Sequence, residues 1–451
     1  MKLKTYSFLI AGTLFGTAAL PAQANNDAMI DLLNILRDQG TITTQNYERL
    51  TSASKTDQKA AEALKVEVEN VTKSMPKITT EGKLKVESAD GNWSFQPIGR
   101  VMWDAISVEP DSTADGFQGT ELRRARLGFD GDVYDWGYKF EADFAGGSAA
   151  IKDAFVSYNT KLTGNKVSVK FGQSQIAFGF NTAASSKYMT FIDRPWYADS
   201  ALSPARESGV AAKISGDSWS LASSLTVGEL SGGKTDKKVD GTTVALRGTF
   251  EPFKQDQTHL VQVGAGYMGV SSEKNGFSAY KQRLVAHKDS NEILAGNSIS
   301  TENFDGSNAF EVDAVGIFGS FHTVAEYNKY TASSKLASGA GSDINFDSYS
   351  VEAGYFLTGE SMKLKHGLWD GVSPKSSTGA WQIATRFESM SIDDGVVGDD
   401  QADKWTVGLN YYPTKNIRLM LDYDKVITWK QSGVDQNAEP SAVKFRVQAK
   451  W

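Results

Sequence analysis

The sequence predicts an all-β fold, a 16-stranded antiparallel transmembrane β-barrel preceded by a short α-helical, coiled-coil segment. Three observations lead to this prediction. From Gly82 onward, apolar and polar residues alternate with a period of two, in segments of about ten residues. Beyond the first 24 residues, no apolar run approaches the ~20 residues that a membrane-spanning helix needs. The segments also number sixteen, and a single-chain barrel with both ends on one side of the membrane needs an even number.

The alternation places apolar side chains on one face of each segment and charged ones on the other. Val101, Trp103 and Ala105 alternate with charged neighbours, and residues 443–451 repeat the pattern up to Trp451. A transmembrane barrel needs such strands, apolar towards lipid and polar towards the lumen. A soluble sandwich would also alternate, but it would not need tight turns at one end and long polar loops at the other.

The sixteen segments centre near residues 101, 126, 140, 155, 169, 211, 223, 246, 264, 312, 324, 352, 384, 408, 421 and 447. A further segment, residues 277–287, would make the number odd, and it has a poor apolar face. We therefore assign it to a long external loop.

Composition excludes several classes of protein. The formal net charge is -7, and loss of Lys2 and Lys4 with a leader would make it -9, which argues against a nucleic-acid-binding protein. The chain contains no cysteine, so disulfide bonds and thiolate metal sites are excluded. No cofactor is predicted.

The chain divides into three parts by pattern. Residues 1–24 read as a secretory signal peptide, with Lys2 and Lys4, an apolar stretch and a small-residue cleavage site ending at Ala24. Residues 25–77 are expected to form a periplasmic helix and a short coiled coil, and residues 78–451 the barrel in the outer membrane. The first helix covers residues 28–37 and ends at Gly40, and a second short helical piece follows around residues 47–50.

A seam of apolar residues, which we call the heptad seam, follows from residue 57 and stops at Pro76. It consists of Ala61, Leu64, Val68, Val71 and Met75. A spacing of alternately three and four residues is typical of a coiled coil. A lone helix of this length is marginal in water, so we expect it to associate with copies of itself. The alternative is a helix that lies against its own barrel.

Two stretches match nucleotide-binding motifs by spelling alone. Residues 228–235 resemble a phosphate-binding loop, and residues 264–269 a dinucleotide fingerprint, but neither precedes a predicted helix, which both motifs require. We expect a hairpin loop and a strand. The four histidines have no metal-ligand spacing. Five aspartates, at 393, 394, 399, 400 and 403, are expected to be a solvated loop, with a divalent-cation site as the alternative.

The sequence resembles the phosphate-selective porin O and P family. The resemblance is carried by FQPIGRVMWD (95–104), LRRARLGFDGDVYDWGYKFEADF (122–144), KDAFVSY (152–158), KFGQ (170–173), SSKYMTFIDR (185–194) and GYFLTGE (354–360). It continues through GAWQIATRF (379–387) and a stretch over residues 408–418. It therefore covers Phe95 to Trp451, which is far more specific than a single motif.

The resemblance implies a trimeric sixteen-stranded porin whose third external loop folds into the lumen. It also implies a basic track that includes Arg100, Arg124 and Lys170, and a constriction arginine, Arg194. Asp193 departs from the family, which more often has glutamate there. Several acids also lie on the predicted lumen wall.

Period-two alternation places twelve basic residues on the lumen face: Arg100, Arg124, Arg126, Lys139, Lys170, Lys213, Arg247, Arg386, Arg418, Lys444, Arg446 and Lys450. Asp104, Glu141, Asp143, Glu352, Glu388 and Asp422 share that face, and the loop over residues 175–207 adds Lys187, Arg194 and Arg206. The basic surplus favours anions, because only pore-facing charges set the field of a channel. The alternative for any one residue is pairing across the barrel.

We predict a non-enzymatic porin that passes phosphate or related small anions. Its candidate anion-pathway residues are Arg100, Arg124, Arg126, Lys170, Lys187, Arg194, Arg206, Arg247, Arg386 and Arg418. Expected partners are outer-membrane lipid, lipopolysaccharide and two further copies of the chain. The alternatives are a general porin for small solutes and a structural barrel that tethers the outer membrane. An enzymatic barrel ranks third.

Overall fold

The computed structural model describes residues 21–111, 114–199, 202–203, 206–228, 241–271, 276–278, 281–289, 291–294, 298–395 and 399–451. Most of the predicted signal peptide, residues 1–20, lies outside the described residues. The chain divides into two compact units: one runs to Lys77 and includes Ser88–Asp90, and the other comprises Ile78–Glu87 and Gly91–Trp451. Within the described residues, no helix is both long enough and apolar enough to cross a bilayer.

The first unit contains two helices, α1 (Pro21–Asp38) and α2 (Thr44–Ser74). α1 ends before Gly40, whose φ of 71° is a conformation that glycine adopts without strain. The Thr43 hydroxyl caps α2 by accepting a hydrogen bond from a backbone N–H of its first turn. The sequence predicted a short helical piece and a separate seam. The structure joins them in one helix, because no glycine or proline interrupts the residues between them.

The second unit is a barrel of sixteen antiparallel strands, as the sequence predicted. The strands are Trp93–Glu109 (β1), Phe117–Val133 (β2), Trp136–Asp143 (β3), Ala150–Leu162 (β4), Asn165–Gln175 (β5), Arg206–Ser215 (β6), Trp219–Thr226 (β7), Thr242–Asp256 (β8), His259–Ser271 (β9), Phe304–Phe318 (β10), Phe321–Ser334 (β11), Ile344–Phe356 (β12), Ala380–Asp393 (β13), Asp400–Tyr412 (β14), Ile417–Gln431 (β15) and Ser441–Lys450 (β16). β1 pairs with both β2 and β16, so the sheet closes on itself and leaves no free edge. Two short strands, Lys77–Thr79 and Lys85–Glu87, join this sheet ahead of β1.

Side chains alternate between the outer surface and the lumen. On β1, Val101 and Trp103 are exposed, whereas Arg100 and Asp104 are buried in the lumen. The same alternation buries the predicted lumen charges of β13 and β15, and those of β16 except Lys450, which is partly exposed. An apolar outer face with a charged interior is the pattern of a membrane-spanning barrel. The predicted division into a lipid face and a polar lumen is therefore confirmed.

The segment that the sequence placed in a loop lies outside the barrel sheet. Phe277 forms an isolated bridge with Ile299, and Lys281–Arg283 pairs with Glu292–Leu294 in a small separate hairpin. This fifth loop joins β9 to β10. The structure therefore confirms that this segment belongs to an external loop, the assignment on which the even count of sixteen strands depends.

One connection differs from the tight turns that the sequence predicted for the end of the barrel where β1 begins, here called the turn end. Residues 357–379 join β12 to β13, and they contain a small hairpin of Leu364–Lys365 with Leu368–Trp369. Met362 and Trp369 are buried in an apolar cluster with side chains of the barrel wall. This turn-end segment folds into the lumen because its apolar side chains would otherwise be exposed to water.

Candidate functional site in the barrel lumen

The third loop joins β5 to β6 (residues 176–205), and its described residues, 176–199 and 202–203, fold into the lumen. It contains the short helix α3 (Phe180–Ala183), and Phe178, Phe191 and Trp196 on it are almost completely buried. Side chains of this size bury enough apolar surface to hold the loop inside the barrel. The structure therefore has the third loop inside the lumen, as the family resemblance implied.

Acidic side chains of the wall hold the backbone of the third loop. The Ile192 N–H donates to Asp422 and the Trp196 N–H donates to Glu388, each at 2.7 Å. Carboxylates of β10 and β11 accept hydrogen bonds from the backbone of α3 in the same way. Two predicted lumen acids, Glu388 and Asp422, and two acids that the prediction left out therefore anchor the loop, and their charge is offset locally by backbone donors.

Basic side chains of the same wall complete this anchoring. Arg446 makes two 2.6 Å bonds to Asp104 and donates to the Ile192 carbonyl at 2.7 Å. Arg418 donates to two loop carbonyls, and Arg386 donates to a third and pairs with Glu388. Arg386 and Arg418, two predicted anion-pathway residues, thus have their donors directed at the third loop.

A cavity of about 360 Å³ lies beside the third loop, and we call it the arginine cavity. Its charged lining residues are Arg100, Arg123, Arg124, Arg126, Lys152, Arg194, Asp199, Arg206 and Glu207. Seven of these are basic and two are acidic. Five of the ten predicted anion-pathway residues therefore meet here, although β1, β2, the third loop and β6 supply them.

Some of these arginines are paired with carboxylates. Arg100 and Arg126 share Glu141, at 3.0 and 3.1 Å, and Arg126 also binds Asp143 at 2.7 Å. These pairs fix the guanidinium groups and leave other N–H groups directed elsewhere, since arginine carries five donors. The paired arginines form an ordered wall of the cavity.

Two others make no ion pair with a carboxylate among the described residues. Arg124 hydrogen-bonds to the Met102 sulfur, at 3.6 Å, and Arg194 donates to the carbonyls of Asn181 and Ala184. Burial lowers the pKa of Arg194 to about 10, so this loop residue still carries its charge at neutral pH. The surplus positive charge of the cavity resides mainly on these two side chains.

Two cavity residues, Arg123 and Lys152, were missed by the sequence prediction. Strict alternation would turn Arg123 towards lipid, but the register of β1 and β2 shifts between Met102 and Trp103, so no β1 residue lies opposite Arg123. A matching shift in β3 and β4 leaves no β3 residue opposite Lys152. Both are β-bulges, which redirect a side chain. The sequence did hold one signal against the outward orientation of Arg123. An arginine that faces lipid in the middle of the bilayer costs about 2–4 kcal/mol of stability.

A second, larger cavity of about 870 Å³ lies at the turn end, between β4–β8, the third loop and the turn-end segment. We call it the lysine vestibule, and Lys170 and Arg247 of the predicted set line it. The remaining predicted residue, Lys187, lies with Arg418 in a narrow cleft beside Tyr188. Burial lowers the pKa of Lys187 to about 8. Arg386 lines none of these cavities.

The charge balance of the lumen differs from the count of twelve basic and six acidic residues. Buried acids on β4, β10, β11 and β15 were left out of that count, and they include Asp153, Glu311, Glu326 and Asp424. Several basic residues are paired with them; Arg247, for example, binds Glu311 and its neighbour on β10. The positive surplus is therefore concentrated at particular places, above all in the arginine cavity.

The structure also shows where the other sequence motifs lie. The stretch 264–269 lies within β9, as predicted, and the 228–235 pattern lies outside the described residues except for Gly228. In the part of the chain that the structure describes, no group of three or more histidine or acidic side chains could hold a metal ion. That includes the described aspartates of the predicted acidic loop, and that prediction is wrong in part: Asp393 ends β13, and Asp400, which is buried, and Asp403 lie on β14.

Comparison with known proteins agrees with this architecture. Residues 95–451 match the phosphate-selective porin O and P family. Porin O of Pseudomonas aeruginosa is 28% identical over 396 residues, which cover 78% of this chain and 87% of that protein.

Solved structures show the same fold at low sequence identity. The anion-selective porin of Comamonas acidovorans gives a TM-score of 0.51 at 12% identity, covering 80% of this chain and all (100%) of that one. The in-vitro folded trimer form of OmpT from Vibrio cholerae gives 0.50 at 13% identity, covering 80% of this chain and 99% of that one. These are outer-membrane barrels. The chain therefore belongs to the phosphate-selective porin O and P family and is an outer-membrane porin channel, not an enzyme.

Proposed function

We propose that the channel is anion-selective and that phosphate or a related oxyanion binds in the arginine cavity. The observation that carries the proposal is the convergence of seven basic side chains on about 360 Å³, with only two acids in the lining. Arginine suits this ligand because its planar fork bonds two oxygens of a tetrahedral anion and keeps its charge. The names of the family, of Porin O and of the anion-selective porin support the same class of solute.

A path through the protein follows from the neighbouring cavities. A basic cleft of about 240 Å³ against the fifth loop shares Arg194 and Asp199 with the arginine cavity. Ala183 of the third loop lines the lysine vestibule, and the next residue, Ala184, lines the arginine cavity. An anion would pass from the cleft to the arginine cavity and on to the vestibule. Several sites in series let an ion bind and leave, which conduction requires.

The reversal potential of the purified protein in a bilayer tests the proposal. Under a KCl gradient we expect the sign that corresponds to chloride permeation, and phosphate added to one side should reduce the chloride current. Phosphate should compete because it offers more oxygen acceptors to the same guanidinium groups than chloride does. A reversal potential of the opposite sign would refute anion selectivity. A large ohmic current indifferent to phosphate would instead indicate a general porin for small solutes.

We further propose that residues 1–24 direct export, that residues 25–77 lie in the periplasm, and that the chain forms a homotrimer. The heptad seam supports the last point, because Leu64, Val68 and Val71 on α2 and Met75 at its C-cap are each more than half exposed. Exposed apolar residues at heptad spacing are buried when copies of a helix associate. The trimer form recorded for the Vibrio cholerae protein agrees with this assembly. The lipid-facing surface would contact outer-membrane lipid and lipopolysaccharide.

We expect Val68→Asp to lower the temperature at which the trimer dissociates on a semi-native gel, because it places a charge in the seam. The experiment uses protein purified from outer membranes, whose mass should correspond to a chain starting at Asn25. Val66→Asp is the matched control, since Val66 is equally exposed but lies off the seam. Equal stability of both variants would favour a helix that does not associate with copies of itself.

A further inference from the structure

We propose that the lysine vestibule is a second binding site, specific for organic carboxylates that carry an apolar body. The inference rests on the proposed anion passage and adds a different ligand chemistry to it. With about 870 Å³, the vestibule has more than twice the volume of the arginine cavity. A bare inorganic oxyanion would fill only a small part of that space.

The lining of the vestibule combines two kinds of surface. Ala177, Ala183, Ala211, Ala222 and Leu368 contribute aliphatic carbon from the third loop, two strands and the turn-end segment. Hydroxyl groups of serines and threonines lie between them. A concave, largely apolar site with a few placed polar groups is the usual form of a site for small organic molecules. The arginine cavity, by contrast, is lined by nine charged residues together with three serines and two alanines.

The cations of the vestibule are placed for a carboxylate. Its lining contains Lys161, Lys166, Lys170 and Lys213, with Asp135 as the one acid. None of the four lysines makes an ion pair among the described residues, whereas most lumen arginines do. Their positive charge is therefore left for a ligand that enters the lumen.

The strand register brings the two surfaces into contact. Lys170 of β5 lies opposite Ala211 of β6, and Lys213 of β6 lies opposite Ala222 of β7. Ala222 is in turn opposite Arg247, whose charge is already offset by two acids of β10. Lys170 and Lys213 thus each lie beside an alanine, whose small side chain leaves room for an apolar group of the ligand. A carboxylate joined directly to a ring or short alkyl chain matches this spacing.

The test measures block of chloride current by benzoate, with acetate and benzamide as comparisons. Benzoate should block at a concentration about tenfold lower than acetate, because the ring adds apolar surface to bury. Benzamide should not block, because it lacks the charge. Lys170→Gln should weaken the benzoate block about tenfold, the loss of one charge-assisted hydrogen bond. Lys213 is avoided, since its ammonium also holds the His366 carbonyl at 2.8 Å.

A second variant separates the cavity from its charge. Ala222→Leu fills the vestibule without altering any charged group, and it should weaken the benzoate block while phosphate block stays unchanged. Equal block by benzoate and acetate, or a benzoate block unaffected by both variants, would overturn the inference. Calorimetric titration of the detergent-solubilised protein with benzoate reads binding without current. If benzoate binds but the channel is cation-selective, only the proposed function is refuted. If the channel is anion-selective but benzoate does not bind, only this inference is refuted.

Discussion

The substitution Arg124→Gln is expected to raise the phosphate concentration that half-blocks the chloride current by about tenfold to a hundredfold. One hydrogen bond to a charged group contributes about 1.5–3 kcal/mol, which corresponds to that range of affinity. The effect should be large because Arg124 makes no ion pair with a described carboxylate, and its hydrogen bond to the Met102 sulfur is to a weak acceptor. Its guanidinium is therefore directed at whatever occupies the arginine cavity.

The same feature makes Arg124 a clean probe. Its removal leaves no buried carboxylate without a partner, so the barrel should fold and insert as before. Arg124→Lys keeps a charge but loses the planar fork, and an intermediate effect would show that the geometry of the donor contributes. Lys254→Gln removes a similar charge at the turn end, where Lys254 pairs with Glu251, and should leave the block unchanged. An Arg124→Gln protein with the same phosphate block would exclude the arginine cavity as the phosphate site.

Most of the barrel could be predicted from sequence because its side chains obey a strict period of two. An outward side chain contacts lipid and an inward one contacts water or charged groups. The pattern of each strand alone therefore predicts which of its side chains face outward. Phe277 illustrates the limit, because its segment is apolar but has no regular outer face. The parity of the strand count decided its assignment to the fifth loop. The sequence predicts two helical pieces where the structure has the single helix α2. Serine and threonine in its middle weaken helix propensity without ending a helix.

The candidate site could be predicted only in part, because it depends on departures from that period. Arg100, Arg124 and Arg126 follow from alternation, and Arg194 and Arg206 follow from their place in the third loop. Arg123 and Lys152 reach the same cavity through β-bulges, and one extra residue in a strand leaves no clear mark in sequence.

Long-range pairing could not be predicted either. The sequence shows that Arg386 and Asp422 face the lumen but not that the third loop uses them as anchors. Those partners are 193 and 230 residues apart in the chain. The same holds for the turn-end segment, whose apolar residues are too few and too irregular to reveal that they enter the lumen. The inward charges therefore divide into anchors and cavity-lining groups only in the folded protein.

Loss of an anchor should change both stability and conduction, and Arg446→Met is expected to have the largest effect. Arg446 is almost completely buried and joins Asp104 of β1 to the Ile192 carbonyl of the third loop. Its removal leaves Asp104 buried without its partner, which costs about 3–5 kcal/mol for a buried ion pair. The melting temperature should fall, and the single-channel conductance should rise, since the loop loses one of its attachments to the wall.

The double variant Arg446→Met with Asp104→Leu separates these two effects. With both charges removed, no unpaired carboxylate remains, so most of the lost stability should return. The hydrogen bond to Ile192 is still absent, however, so the conductance should stay high. Thermal unfolding followed by circular dichroism and single-channel recordings of both variants provide the two readouts. Unchanged conductance in the single and double variants would mean that the remaining contacts, such as that of Asp422 with the Ile192 N–H, suffice to hold the loop across the lumen.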